Sequence, residues 1–229
     1  FVAVIGDERF ETLQAAVDAA ENGEEIVVVS DIRLSDTVTV NGNVVIDLNG
    51  YTISQEKACT ESYSMIKNNG TLTIKDSSAA ADGKISFKDT GAGDPSFGWG
   101  SYTITNNGTL VVENGTIEHL GEQNPGGGQP NVHMYCAIFQ YSGSTTINGG
   151  TIDAGTSGYG VICFVPVTNH INVQGNAVIK GLAAFYLKEG VNNTAIKLSQ
   201  STSIGTNKYA AASGVFGAVV IEGSNNTVR

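Results

Sequence analysis

A short unit recurs along most of the chain and leaves it few ways to fold. Residues 106–118 read N-N-G-T-L-V-V-E-N-G-T-I-E, 69–76 read N-G-T-L-T-I-K-D, and 142–153 read S-G-S-T-T-I-N-G-G-T-I-D. Residues 169–180 read N-H-I-N-V-Q-G-N-A-V-I-K, and an earlier copy at 41–54 reads N-G-N-V-V-I-D-L-N-G-Y-T-I-S. With Ile46, Ile74, Val112, Ile147 and Val173 taken as equivalent, successive copies are 28, 38, 35 and 26 residues apart. A repeat of that period signals a solenoid, and apolar runs this short, broken by Gly and Asn, make its element the β-strand.

Each unit divides into three short strands. In the second copy these are 71–75, 84–87 and 102–105; in the third, 109–113, 116–119 and 137–140. The fourth gives 145–148, 151–154 and 160–165, and the fifth 170–173, 177–180 and 184–187. Alternation along a strand sends Leu72 and Ile74, Leu110 and Val112, and Ile171 and Val173 to one face, where they stack from unit to unit. Ile85, Ile117, Ile152 and Val178 are expected to form a second inward column. Burying each such side chain contributes roughly 1.5–3 kcal/mol, so the columns carry most of the stability. Gly and Asn at the corners take the tight or left-handed backbone that a sharp bend requires.

Before the repeats, Thr12 has the character of a helix N-cap, with Leu13, Ala16, Val17 and Ala20 at helical spacing and Gly23 as the stop. A solenoid exposes an open edge at its first rung, and this helix is expected to cover it. The fold expected is all-β: a right-handed, single-stranded parallel β-helix with three strands per rung and a short N-terminal capping helix. One domain is expected over 1–229, with strand and capping helix in 1–25 and rungs in 26–229. The lack of an initiator Met, and the strand-like run ending at Arg229, suggest a segment of a longer protein.

The formal net charge of −10 argues against nucleic acid and anionic membrane surfaces as partners, both of which need basic patches. No apolar run is long enough to span a membrane, so no membrane insertion is expected. Cys59, Cys136 and Cys163 are too few for a disulfide framework, and the last two lie in apolar runs typical of buried thiols.

Residues 10–29, F-E-T-L-Q-A-A-V-D-A-A-E-N-G-E-E-I-V-V-V, followed by 37–53, T-V-T-V-N-G-N-V-V-I-D-L-N-G-Y-T-I, resemble right-handed parallel β-helix proteins of the pectin-lyase-like superfamily. Within it they look most like β-helix segments of large secreted or wall-attached proteins of gut bacteria. The resemblance covers nearly the whole chain and implies an extracellular, secreted or wall-attached bacterial protein. For activity it is indifferent, since this fold hosts lyases, hydrolases, adhesins and phage spikes. Polygalacturonase-type hydrolases carry N-T-D, D-D, G-H-G and R-I-K segments; this chain has no Asp-Asp pair, no G-H-G and no R-I-K. The Asp cluster and Arg or Lys base of pectate-lyase-type enzymes have no evident counterpart.

The corner between the second and third strands of a unit is long three times running, at 55–63, 88–101 and 120–135, and then shrinks to 155–159 and 181–183. Stacking places the long corners on one lateral face, and loops on a rigid scaffold are where binding concentrates. Phe97, Trp99, Tyr102 and Tyr135 offer rings for stacking on sugars, and Asp94, Glu122 and His133 offer polar contacts. The equal reading is that these rings pin the loops to the wall. Glu118 and Asp153 follow the equivalent Ile117 and Ile152, so on adjacent rungs their backbones lie ~4.8 Å apart. A carboxylate pair of that kind is what a glycosidase uses, and it is also a start toward a Ca²⁺ site; two solvated surface acids would look the same.

The function expected is a non-catalytic surface or secreted module for adhesion or carbohydrate recognition, without a cofactor unless Ca²⁺. Its partner would be a polysaccharide or glycan, or a host or cell-surface protein. The alternative is a polysaccharide lyase or glycoside hydrolase acting on an extracellular polysaccharide, with Glu118 and Asp153 or the loop acids as catalytic or Ca²⁺-binding groups.

Overall fold

The structure is a computed structural model that describes residues 1–91, 99–121, 133–156, 158–163, 170–187, 190–191, 194–198, 203–206, 219–221 and 225–228. Among them the strands form one sheet of ten and two of seven. Apart from an antiparallel start, where Ala3–Ile5 pairs with Glu8–Phe10 and with Glu24–Val28, every pairing is parallel and joins a strand to its equivalent one turn of chain later. Three mostly parallel sheets built this way are the arrangement of a parallel β-helix.

The repeat's register is the register of the first sheet. Ile46 pairs with Ile74, Ile74 with Val112, Val112 with Ile147 and Ile147 with Val173, and all five are fully buried. In the second sheet the inward column runs Ile53, Ile85, Ile117, Ile152 and Ile179. Val178, expected in that column, instead pairs with Thr151 one position earlier. The corner before it is one residue longer than the corner before Ile152, and a one-residue shift exchanges the faces of a strand. The third sheet contributes Val38, Ile66, Ile104, Ile138, Val161 and Phe185 to the same core.

The helix is shorter than its apolar spacing suggested, Leu13–Ala19, with Thr12 Oγ1 accepting from the Ala15 N–H as N-cap. It ends at Ala20, whose backbone is already extended, and Gly23 (φ 81°) serves the turn into Glu24–Val28. Leu13, Ala16 and Val17 are buried. Gln14 Nε2 donates to the Thr39 carbonyl (3.0 Å) and its Oε1 accepts from the Thr39 N–H (2.7 Å). One side-chain amide thus occupies both backbone groups of Thr39 in Val38–Val40, the terminal strand of the third sheet.

Asparagine recurs at the corners because its side chain bonds from rung to rung. Asn68 Nδ2 donates to Asn106 Oδ1 (2.8 Å), and Asn106 Nδ2 to Gln140 Oε1 (3.2 Å) and the Ser144 carbonyl (2.8 Å). A parallel row runs outside it, from Asn107 Nδ2 to Asn69 Oδ1 (2.7 Å) and from Asn69 Nδ2 to Asn41 Oδ1 (3.0 Å). Asn68, Asn106 and Gln140 are fully buried, so removing a member strands polar groups away from water. Asn106→Ala is expected to lower stability by about 2 kcal/mol, read as a lower urea midpoint at unchanged slope. Asn107→Ala, in the exposed row, should cost less than half as much.

Candidate functional site

The three long corners are rooted at stacked positions. On the second sheet Lys57 pairs with Asp89, and Phe87 with His119. On the third, Trp99 pairs with His133, and Ser101 with both Tyr63 and Tyr135. The backbones at Trp99 and His133 are therefore neighbours at the starts of their strands. Asp94, Phe97 and Glu122, the other residues expected to contact a ligand here, lie outside the described residues.

Beneath these roots is a closed floor. The inward column Gln55, Phe87 and His119 continues the second sheet. The rings form a chain: Tyr63 beside Phe87 (5.7 Å between centroids), His119 edge-on to Phe87 (5.2 Å), and Tyr135 stacked on His119 (5.5 Å). Tyr135 is only 3% exposed, so its ring belongs to this floor. His119 Nδ1 accepts from the Gly121 N–H (3.1 Å), which leaves the proton of the neutral ring on Nε2, 3.0 Å from Ser101 Oγ. Burial holds the imidazole neutral down to about pH 4, against the opposing pull of the Asp89 carboxylate. Asp89 Oδ1 accepts from the backbone N–H of Cys59 (3.1 Å) and of Gly91 (2.8 Å), tying two corners together.

Burial, with Asp89 adding to it, pushes the Cys59 thiol up to about 12. Cys163 is pushed equally high by burial, and Cys136 is also raised. Three protonated, buried thiols offer no nucleophile at neutral pH. Among the described residues, no group of three or more His, Cys, Asp and Glu is placed to hold a metal ion.

Glu118 and Asp153 are register partners on adjacent strands of the second sheet. Each also meets a lysine, Lys84 Nζ lying 3.8 Å from Glu118 Oε1 and Lys180 Nζ 2.9 Å from Asp153 Oδ2. The four charges form a ladder, Lys84, Glu118, Asp153 and Lys180, on the outer surface of the sheet. The lysines are about two-fifths exposed and the carboxylates half-buried, and ion pairs at a sheet surface contribute little to stability, in the range of ~0–1 kcal/mol.

Tyr102 takes another direction. The third-sheet ladder skips Thr103 and Ala137, and beyond that irregularity Tyr102 lies on the outer face, its ring stacked on Phe139 (4.3 Å, 10° between planes). Phe139 in turn meets Tyr141 edge-on (6.0 Å). This outer face carries a second apolar cluster of Cys136, Phe139, Tyr159, Ile162, Ala183 and Tyr186, separate from the core. At one end of it lies an open groove of about 420 Å³. Sequence reasoning assigned Tyr102 to the corners and overlooked Phe139, Tyr141 and Lys67. The signal was present: strands reading Y-C-A-I-F-Q, Y-G-V-I-C and A-A-F-Y-L do not alternate, and a strand apolar on both sides is covered on both faces.

The chain matches no protein-family model, no curated protein and no solved structure. Among the described residues, no helix is long and apolar enough to cross a membrane.

Proposed function

We propose that this chain is a non-catalytic recognition module of a secreted or wall-attached bacterial protein, binding glycans through the loops that leave one lateral face of a right-handed parallel β-helix. The observation that carries this reading is the stacking of the three loop roots, Lys57 with Asp89, Phe87 with His119 and Trp99 with His133, over a floor of packed, largely buried rings. Loops emerging from adjacent, fixed positions compose one surface, and order in the scaffold lowers the entropy that binding must overcome. The resemblance of residues 10–53 to pectin-lyase-like proteins supports both the handedness and the extracellular setting. The N-terminal helix and Gln14 fit the role of a cap on the first rung.

The competing reading, a polysaccharide lyase or glycoside hydrolase, draws on one observation, the register pairing of Glu118 with Asp153. Both carboxylates carry lysine partners on an outer sheet surface, and no thiol is activated. Incubation with acidic and neutral polysaccharides, with and without Ca²⁺, separates the two. The expected result is binding to a glycan without unsaturated product or new reducing ends. Glu118→Gln and Asp153→Asn are expected to bind within about twofold of the native protein, whereas Trp99→Ala weakens binding. Product formation that disappears in Glu118→Gln would establish the enzyme instead.

A further inference from the structure

Among the described residues, the groove on the outer face of the third sheet is built from three successive rungs, each supplying three side chains. At spacings of ~4.8 Å, three rungs span ~10 Å, and its volume of about 420 Å³ falls in the ~300–1,000 Å³ range of small-ligand sites. Its floor is the stacked pair Tyr102 and Phe139, and its wall is Tyr141, which is 47% exposed although its neighbour Phe139 is buried. Ser64, Thr105 and Asn107 share the lining; the Ser64 and Thr105 hydroxyls bond each other (2.6 Å) and Asn107 Nδ2 donates to Asn69, so a ligand would use their remaining hydrogen-bonding capacity.

Lys67 supplies the groove's charge. Among the described residues, no carboxylate lines the groove and none lies within ion-pair distance of Lys67. Lys75, Lys84, Lys88 and Lys180 each pair with Asp or Glu; among the described residues Lys57, which lies over the Tyr63 ring, and Lys197 do not, but neither lines the groove. In a chain of net charge −10, an uncompensated ammonium beside an exposed ring and a row of hydroxyls is a selective combination. The C–H face of a pyranose packs on an aromatic ring, its hydroxyls exchange hydrogen bonds with Ser, Thr and Asn, and a carboxylate on the sugar takes a charge-assisted bond from lysine.

We propose that this groove is a second saccharide site, for a carboxylated pyranose of one or two units, with Tyr141 as stacking platform and Lys67 as acid-selecting residue. The proposal rests on the glycan-recognition reading but places this contact on the outer face of the third sheet, apart from the loop roots and from Glu118 and Asp153.

Calorimetric titration of the full chain with sialyllactose, a uronate disaccharide and lactose tests it, the first two separating a chain-terminal acidic sugar from a fragment of an acidic polymer. At least one acidic sugar is expected to bind, lactose much more weakly, with affinity falling as salt rises. Tyr141→Ala should weaken the acidic sugar about tenfold. Lys67→Gln should weaken it about tenfold while leaving lactose unchanged, abolishing the preference. Both side chains are at the surface, so each variant is expected to melt like the native protein. Failure of both acidic sugars to bind, or equal binding of lactose, overturns the proposal. Binding that survives both groove substitutions but is lost in Trp99→Ala overturns it and leaves the loop reading standing. Absence of any binder in a wider glycan panel removes both.

Discussion

Replacing Gly108 with alanine is expected to destabilise the protein by about 4 kcal/mol or more, at the upper end of what single substitutions do. Gly42, Gly70, Gly108 and Gly143 stack at the corner between the third and first sheets. A Cβ on Gly108 would fall on the carbonyl oxygen of Gly70, one on Gly70 on the oxygen of Gly42, and one on Gly143 on the oxygen of Gly108. Those oxygens are not free to retreat. The Gly42, Gly70 and Gly108 carbonyls accept the N–H of Thr71 (2.9 Å), Thr109 (2.8 Å) and Ser144 (3.0 Å), the bonds that join one rung to the next. A methyl group there must break the ladder or displace a rung. For a chain of this length such a loss lowers the melting temperature by about 10 °C. Gly42→Ala is the internal control: a Cβ on Gly42 has nothing within 4 Å, and its substitution should be close to neutral. Similar melting of the two variants would show that the corner relaxes and that glycine there is dispensable.

Acidification should cost the fold about 3 kcal/mol between pH 6.5 and 4 through His119 alone. Its imidazole titrates near 6.5 in the unfolded chain and at about 4 in the native one, chiefly because it is buried. Above pH 6.5 neither state is protonated and the contribution is complete. Between the two values the unfolded chain takes up a proton that the native chain refuses, so stability falls with pH. Below about 4 both states are protonated and the loss is finished. Of the groups around the ring, Asp89 opposes the effect by favouring the imidazolium. Tyr135 and Cys59, both raised to about 12, stay neutral throughout, and Phe87 and Ser101 carry no charge. Other carboxylates also titrate in this range, so the informative quantity is the difference between native and His119→Gln unfolding free energies across pH. That difference should change by about 3 kcal/mol over the window; curves that stay parallel would mean that His119 reaches water.

Much of this architecture was legible in the residues because a solenoid repeats its own evidence. The equivalence of Ile46, Ile74, Val112, Ile147 and Val173 follows from the N-G-T corners and is the hydrogen-bonded register of the first sheet. The reading slipped at Val178, where an extra corner residue moved Ile179 into the column; a period-two pattern carries no memory of a lengthened bend. The pairing of Glu118 with Asp153 also follows from the repeat, and Lys180 ends its own copy at the position of Asp153; Lys84, two positions out of register with Glu118, has no such signature. The candidate site was less legible for a different reason. Long corners announce themselves by length, yet a ring at a corner can turn either way: Tyr135 joins the buried floor while Tyr102 crosses to the outer face. The groove escaped notice because outer faces of rungs are expected to be polar, and Phe139 and Tyr141 break that expectation.

The asparagine corners also bear on how the protein ages. In an Asn-Gly sequence the glycine nitrogen attacks the neighbouring carboxamide carbon and expels its nitrogen as ammonia, closing a succinimide that water opens to aspartate or isoaspartate. Here the Gly70 and Gly108 nitrogens are engaged by Asn68 Oδ1 and Asn106 Oδ1, and the carboxamides of Asn69 and Asn107 are held by the row outside them. Deamidation at these two sites therefore requires the rung to open first. Its rate, followed by mass, becomes a clock for the local melting of individual rungs under conditions where the chain as a whole stays folded.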